Sequence, residues 1–201
     1  MRPVLLLLCV ALLLTNLPGE ARGAKFNRVL DVGDAAPAWR DLPGIDGKKH
    51  SLADQKESPL VVVIFLRNNC PVAQTYEARI RQLTKDYAER GVAVVAINVS
   101  RRPGESLEDM RERARQQEFN FTYLRDESQQ TARDYGATVT PHAFILDRER
   151  KIAYMGAIDD SNDPEHVEEP FVRHALDALL TGEEIEVEET LQRGCAIDFE
   201  S

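Results

Sequence analysis

Apolar residues along this chain fall into runs of two kinds, and their alternation sets out the elements. Residues 60–66 read Leu-Val-Val-Val-Ile-Phe-Leu, a β-branched and aromatic run that suits a strand buried on both faces. Residues 92–99 form a second such run. Between them Ala73, Tyr76, Ile80, Leu83 and Tyr87 keep the three-and-four spacing of a helix with one buried face. Gly91 stops that helix, with Lys85 and Arg90 near the negative end of its dipole. Ser106 and Asp109 form a capping box for a helix to about Gln117, with Leu107, Met110 and Ala114 inward. A short strand at 121–124 and a brief helix from Ser128 to Gly136 follow. Strands at 143–146 and 152–155 flank a charged turn and read as a hairpin. The last helix spans 169–181, with Phe171, Ala175, Ala178 and Leu179 on one face and Gly182 as its stop. Near the start, Asp46-Gly47 marks a turn between short strands around 39–42 and 49–52. This order predicts an α/β domain, a mixed sheet flanked by helices.

The first 24 residues stand apart from that pattern. Arg2 precedes an apolar stretch over 4–14, Pro18 and Gly19 break it, and Ala21, Gly23 and Ala24 offer small residues for cleavage. This is the layout of an export signal, and the apolar stretch is short of the ~20 residues a membrane span needs. An uncleaved anchor is the lesser alternative. The expectation is an exported protein, periplasmic or extracellular, with no stable membrane insertion after cleavage. A linker at 25–31, a domain at 32–182 and a tail at 183–201 complete the layout. Without the leader the chain holds 23 basic and 33 acidic residues, a net charge of −10. Such a surface argues against nucleic acid as a partner. Cys9 leaves with the leader, so the exported chain keeps Cys70 and Cys195, an even count that permits one disulfide.

Cys70 carries the candidate chemistry. It stands between the 60–66 strand and the helix, and Pro71 fits the first helical position, where a missing N–H costs nothing. A cysteine at a helix mouth meets free N–H groups and the positive end of the dipole, which stabilise a thiolate. A lone cysteine is by default a small buried hydrophobe. The helix start, the following proline and the polar lead-in Arg67-Asn68-Asn69, which reads as an exposed loop, favour a reactive thiol and redox chemistry.

Several stretches together resemble a known group. Val32-Gly33-Asp34-Ala35-Ala36-Pro37, the Asp46-Gly47-Lys48 turn, Ser51-Leu52, the run from Gly91 to Asn98 and Thr140-Pro141 are similar to the redoxins. That group comprises the alkyl hydroperoxide reductase/thiol-specific antioxidant (AhpC/TSA) proteins and the exported thiol–disulfide oxidoreductases. The resemblance covers about Val32 to Leu180 and implies a thioredoxin-like fold. It makes Cys70 the attacking cysteine and Pro141 a cis-proline facing it, although about 95% of X-Pro bonds are trans in general. Thr140 and Pro141 would then bind an extended substrate strand beside the sulfur. Asn69-Cys70-Pro71 resembles a subgroup with an Asn-His-Cys-Pro motif, asparagine here taking the histidine place. Pro71, Arg67, Asn69 and His142 are the residues expected to tune the site, His142 at its rim, although its default role is packing. Arg125 and Arg148 are able to approach from later strands, and all three arginines are ordinarily solvated.

Departures from the family pattern separate the possible activities. Ala73 and Gln74 occupy the places of a second local cysteine, in the thioredoxin and copper-chaperone spacings respectively. Cys195 is the remaining resolving thiol, able to bridge Cys70 within one chain or between two, and a static bridge is an equal alternative. Val63 and Arg67 replace the proline and threonine of the peroxidatic members, which weakens a thiol-peroxidase reading in which peroxide oxidises Cys70 to the sulfenic acid. The leading expectation is therefore thiol–disulfide exchange at Cys70. Its partners are a protein or small-molecule disulfide, or a peroxide, and an external thiol reductant, with no cofactor and no metal. A non-catalytic or metal-carrying binding module is the remaining alternative. The acidic stretch 159–165 reads as a solvated loop, since it lacks the glycine and closing glutamate of an EF-hand. Asn98 and Asn120 match the glycosylation pattern, Asn98 at the end of a buried strand.

Overall fold

The computed structural model describes residues 24–200, so the expected leader lies outside the described residues except for Ala24. Two-residue strands β1 (Leu42–Pro43) and β2 (Lys49–His50) open the chain as an antiparallel pair. The early hairpin strands are shorter than expected, although the Leu52 N–H still donates to the Trp39 carbonyl at 3.1 Å and both side chains enter the core. In chain order there follow β3 (Leu60–Phe65), α1 (Pro71–Tyr87), β4 (Val92–Asn98), α2 (Leu107–Gln116), β5 (Thr122–Arg125), α3 (Gln130–Asp134), β6 (Val139–Thr140), β7 (His142–Leu146), β8 (Ile152–Gly156), α4 (Phe171–Thr181) and β9 (Cys195–Ala196).

The main sheet runs β5-β4-β3-β7-β8, with β3, β4 and β5 parallel and β7 antiparallel to both of its neighbours, β3 and β8. Strand β3 lies at its centre, and all six residues are buried. Alternate side chains of a strand face opposite ways. Val62 and Ile64 thus join Ala73, Tyr76, Ile80 and Leu83 of α1 and Val172, Ala175 and Leu176 of α4 in one core layer. Val61, Val63 and Phe65 enter a second layer with Trp39, Ala132, Tyr135, Phe144 and Ile197. Full burial of each such aliphatic or phenyl side chain contributes roughly 1.5–3 kcal/mol, so a polar replacement in β3 would damage both layers.

Helix ends follow the sequence signals. Pro71 sits at the first position of α1, a short 3-10 turn extends it, and Gly91 closes it at φ +79. The Ser106–Asp109 capping box starts α2. Helix α4 ends at Gly182 but begins after Pro170, and its buried stripe is Val172, Ala175 and Leu176. The expected face of Phe171, Ala175, Ala178 and Leu179 is therefore corrected: Phe171 and Leu179 are only partly buried against the first layer.

Two peripheral segments are bound to the body. Residues 25–31 are no free linker: the backbone N–H groups of Lys25, Phe26 and Asn27 donate to the Glu189 carboxylate, and buried Asn27 donates to the Tyr135 carbonyl. The acidic stretch is only partly solvated, because Asp159 is buried and ion-paired with Arg79 at 2.5 Å. Burial raises the Asp159 pKa above the usual carboxylate value even against Arg79. Among the described residues no helix is long and apolar enough to cross a membrane.

Candidate active site

Cys70 is the N-cap of α1, in extended conformation at φ −97 and ψ 110. Its Sγ accepts the Ala73 N–H at 3.3 Å, one of the N–H groups that a helix start leaves unpaired. A thiolate at this atom gains both that donor and the positive end of a 17-residue helix. Across the sulfur, 3.1 Å away, lies the Thr140 carbonyl oxygen. The Thr140–Pro141 bond is cis.

Cys70 is joined to Cys195 in a disulfide, with Cα atoms 5.9 Å apart and a sequence separation of 125. Cys195 arrives on β9, which pairs antiparallel with β6 in the register Thr140 to Cys195 and Val139 to Ala196. Gly194 permits the approach: a Cβ there would collide with the Thr140 carbonyl, a backbone group that cannot swing aside. Cys70 is fully buried beneath this strand, whereas Cys195 is half-buried. The two cysteines therefore differ in exposure, Cys195 being the less enclosed residue of the pair.

The lead-in to Cys70 is not the exposed loop its composition predicted. Arg67 and Asn68 are buried, and only Asn69 is exposed. Glu105 explains this. Its fully buried carboxylate accepts the Asn68 and Asn69 N–H groups, both at 2.9 Å, and the Asn98 side-chain N–H at 2.8 Å. Tyr123 donates its hydroxyl to Asn68 Oδ1 at 3.0 Å, and Gln74 donates to the Asn68 carbonyl at 2.6 Å. Asn69 reaches over to the Pro103 carbonyl at 3.2 Å. The buried polar groups of Asn68 are thus offered partners, which is what allows the turn to sit inside, whereas the buried Arg67 Nε has none. Nothing in the sequence marked Glu105 or Tyr123 as part of this turn; Gln74 stood out only in the place of a second cysteine, and Asn98 only through the glycosylation pattern.

The expected tuning residues separate. His142 is not at the rim: it is buried on β7, its ring tilted against Phe144 at 4.4 Å, on the sheet face opposite α1. Burial pushes its pKa down to about 3, so the ring is neutral at pH 7 and brings no positive charge to the sulfur. Arg67 and Arg125 are not solvated either. Arg67 donates to the Ala196 carbonyl at 3.3 Å with its Nε unpartnered, and Arg125 donates to the Ser100 carbonyl. Arg148 is exposed. No group of three or more His, Cys, Asp or Glu side chains poised for a metal ion occurs among the described residues.

Comparisons with known proteins bear on the family and the fold. The AhpC/TSA family profile matches residues 32–155. Thiol-disulfide oxidoreductase ResA of Geobacillus thermodenitrificans is 26% identical over 173 residues, 84% of this chain and 93% of that protein. The solved structure of an uncharacterized conserved protein from Geobacillus kaustophilus is 34% identical, with a TM-score of 0.81 over 87% of this chain and 95% of that one. A candidate thiol:disulfide interchange protein DsbE from Chlorobium tepidum is 28% identical, with a TM-score of 0.63 over 75% of this chain and 99% of that one.

Proposed function

The chain belongs to the AhpC/TSA family, and on that premise we propose that it is an exported thiol–disulfide oxidoreductase with Cys70 as nucleophile and Cys195 as resolving thiol. The fold is thioredoxin-like and the relatives are redox enzymes. One observation carries the reading: the N-cap sulfur is bridged to a cysteine on a strand paired with the residue before the cis-proline.

The cycle follows from the access and chemistry of the two sulfurs. An external thiolate attacks the half-buried Cys195, and Cys70 leaves as a thiolate. A leaving group stabilised by the Ala73 N–H and the helix dipole departs faster. A second donor thiol frees Cys195. Cys70 then attacks a substrate disulfide, one substrate sulfur departing as thiolate and the other remaining in a mixed disulfide. Cys195 attacks Cys70 Sγ, releases the second sulfur and restores the bridge. The Thr140 backbone, beside Pro141, is the ladder on which an extended substrate lies. Glu105 holds the 68–69 backbone and so positions Cys70. Peroxide is the weaker substrate here, because Val63 is buried in the second core layer and Arg67 is engaged by the tail carbonyl.

The layout proposed with this activity is a cleaved leader at 1–24, a catalytic domain at 32–182 and a tail at 183–201 that carries Cys195. Turnover of a model protein disulfide by wild type, Cys70→Ser and Cys195→Ser tests the activity. Cys70→Ser is expected to be inactive, and Cys195→Ser to accumulate an enzyme–substrate mixed disulfide. Equal turnover by Cys70→Ser and wild type would remove the proposal.

A further inference from the structure

The last residues of the chain are held by the body as a ligand peptide is held. Strand β9 adds to β6, and the Ile197 N–H continues the ladder to the Thr138 carbonyl at 2.8 Å. Beyond it the side chains alternate between two receptors. Ile197 is buried in the second core layer, and Phe199 packs against the same layer beneath the Arg133 guanidinium, 4.5 Å from the ring centre. Asp198 and Glu200, on the other side, pair with Arg102 and Arg101. Gln129 clamps the backbone itself, donating to the Asp198 carbonyl and accepting the Glu200 N–H, both at 2.9 Å. The Gln129 contacts are indifferent to sequence, whereas the arginine contacts are not.

The charge along this track is unusual for the molecule. A chain of 34 acidic and 25 basic residues has placed Arg67, Arg101, Arg102 and Arg133 against seven tail residues. Arg67 is buried with an unpartnered Nε, and among the described residues it forms no salt bridge. A buried guanidinium lacking an anion is costly, and it makes an acidic occupant favourable. A cavity lined by Arg67, Arg101 and Arg102 and by the tail's own Ile197, Asp198 and Glu200 adjoins the strand.

We infer that this track is the recognition site for the substrate protein, and that residues 194–200 are the chain's own stand-in for it. The substrate is an extended segment whose disulfide cysteine is followed by a small residue, an aliphatic residue, and then carboxylate side chains alternating with an aromatic one. The inference rests on the disulfide-exchange reading and supplies the substrate class which that reading leaves open. Tail and substrate require the same ladder, so resolution is a strand exchange. Cys70 holds the substrate sulfur; Cys195 forms its bond to Cys70 Sγ; the substrate sulfur leaves with the electron pair and takes a proton. The returning tail then covers the groove as the reduced strand departs. Two electrons pass from the dithiol to the substrate, and the external thiol donor restores them.

The test uses full-length Cys195→Ser, reduced, and two peptides, Gly-Cys-Ala-Ile-Asp-Phe-Glu and Gly-Cys-Ala-Ile-Lys-Phe-Lys, each activated as its 2-pyridyl disulfide. Attack by Cys70 on the peptide sulfur releases pyridine-2-thione, read by absorbance. The acidic peptide is expected to react at least tenfold faster at low salt, with the advantage shrinking as salt screens the arginines. Adding Arg101→Glu and Arg102→Glu together is expected to reverse the order. Rates within twofold of each other, or an order indifferent to the two substitutions, would overturn the inference and leave the exchange activity standing. So would reaction with neutral dipyridyl disulfide but with neither peptide. Failure of dipyridyl disulfide as well would remove the activity, and the inference with it.

Discussion

His142 converts a fall in pH into a measurable loss of stability. Inside the fold, burial holds its pKa at about 3, against an ordinary value of 6.5. A folded pKa depressed in this way means the unfolded chain takes up the proton first. The contribution is whole above pH 6.5 and is lost progressively as pH falls toward 3. Within that window each pH unit costs about 1.36 kcal/mol, and the loss at pH 5.0 integrates to about 2 kcal/mol. Against a typical domain stability of about 5–15 kcal/mol this is a large fraction. Urea unfolding of oxidised wild type and His142→Leu, each at pH 7.5 and pH 5.0, measures it. Wild type is expected to lose about 2 kcal/mol more than the variant between the two pH values. Whatever the substitution costs in packing cancels in that difference. Equal losses in the two proteins would show that the ring is protonated within the fold, and the reasoning would fail.

Reduction of the Cys70–Cys195 bridge opens a loop of 125 residues, which in the chain-entropy model costs about 5 kcal/mol; comparing urea midpoints of the oxidised protein and the reduced, alkylated one checks this. Gly194→Ala drives a methyl group into the Thr140 carbonyl, and overpacking of roughly 1–3 kcal/mol against the bridged form raises the reduction potential by about 20–60 mV. Equilibration with a glutathione buffer reads that shift, and an unchanged potential would count against the tight approach. Glu105→Gln replaces an acceptor of three hydrogen bonds with an amide that must turn one N–H toward other donors, at a cost of roughly 1.5–3 kcal/mol. Faster amide exchange at Asn68 and Asn69 is the expected sign. Arg113→Ala leaves the buried Glu77 without its two-point partner, held at 2.9 and 2.8 Å, and is expected to destabilise by about 3 kcal/mol, visible in the same unfolding assay.

The parts of this molecule legible in the sequence are those written in local periodicity or in short contiguous signals. The β3 run, the α1 stripe from Ala73 to Tyr87, the Ser106 capping box and the Gly91 and Gly182 stops stand where expected. Cys70 at a helix start and cis-Pro141 were likewise readable, the latter through family resemblance alone. What stayed hidden depends on segments distant in sequence. Arg67 and Asn68 are polar and read as exposed, yet a carboxylate 37 residues from Asn68 makes burial tolerable. Strand β9 is two residues long and has no periodicity to detect. Asp159 looked solvated in an acidic run, because nothing local announces Arg79 reaching it from α1. The α4 face slipped because the helix begins after Pro170, and its apolar residues are dense enough to fit more than one stripe.

The complete enclosure of Cys70 under β9 bears on how the protein would survive idle periods in the presence of oxidants. A free, low-pKa thiolate left open to peroxides climbs toward sulfinic and sulfonic acids, from which simple thiols cannot bring it back. Parked in its bridge, this sulfur is already at a recoverable oxidation level and has no surface for a further oxidant to strike. Exhaustion of the reductant supply would therefore leave the molecule dormant and intact, ready to resume when electrons return.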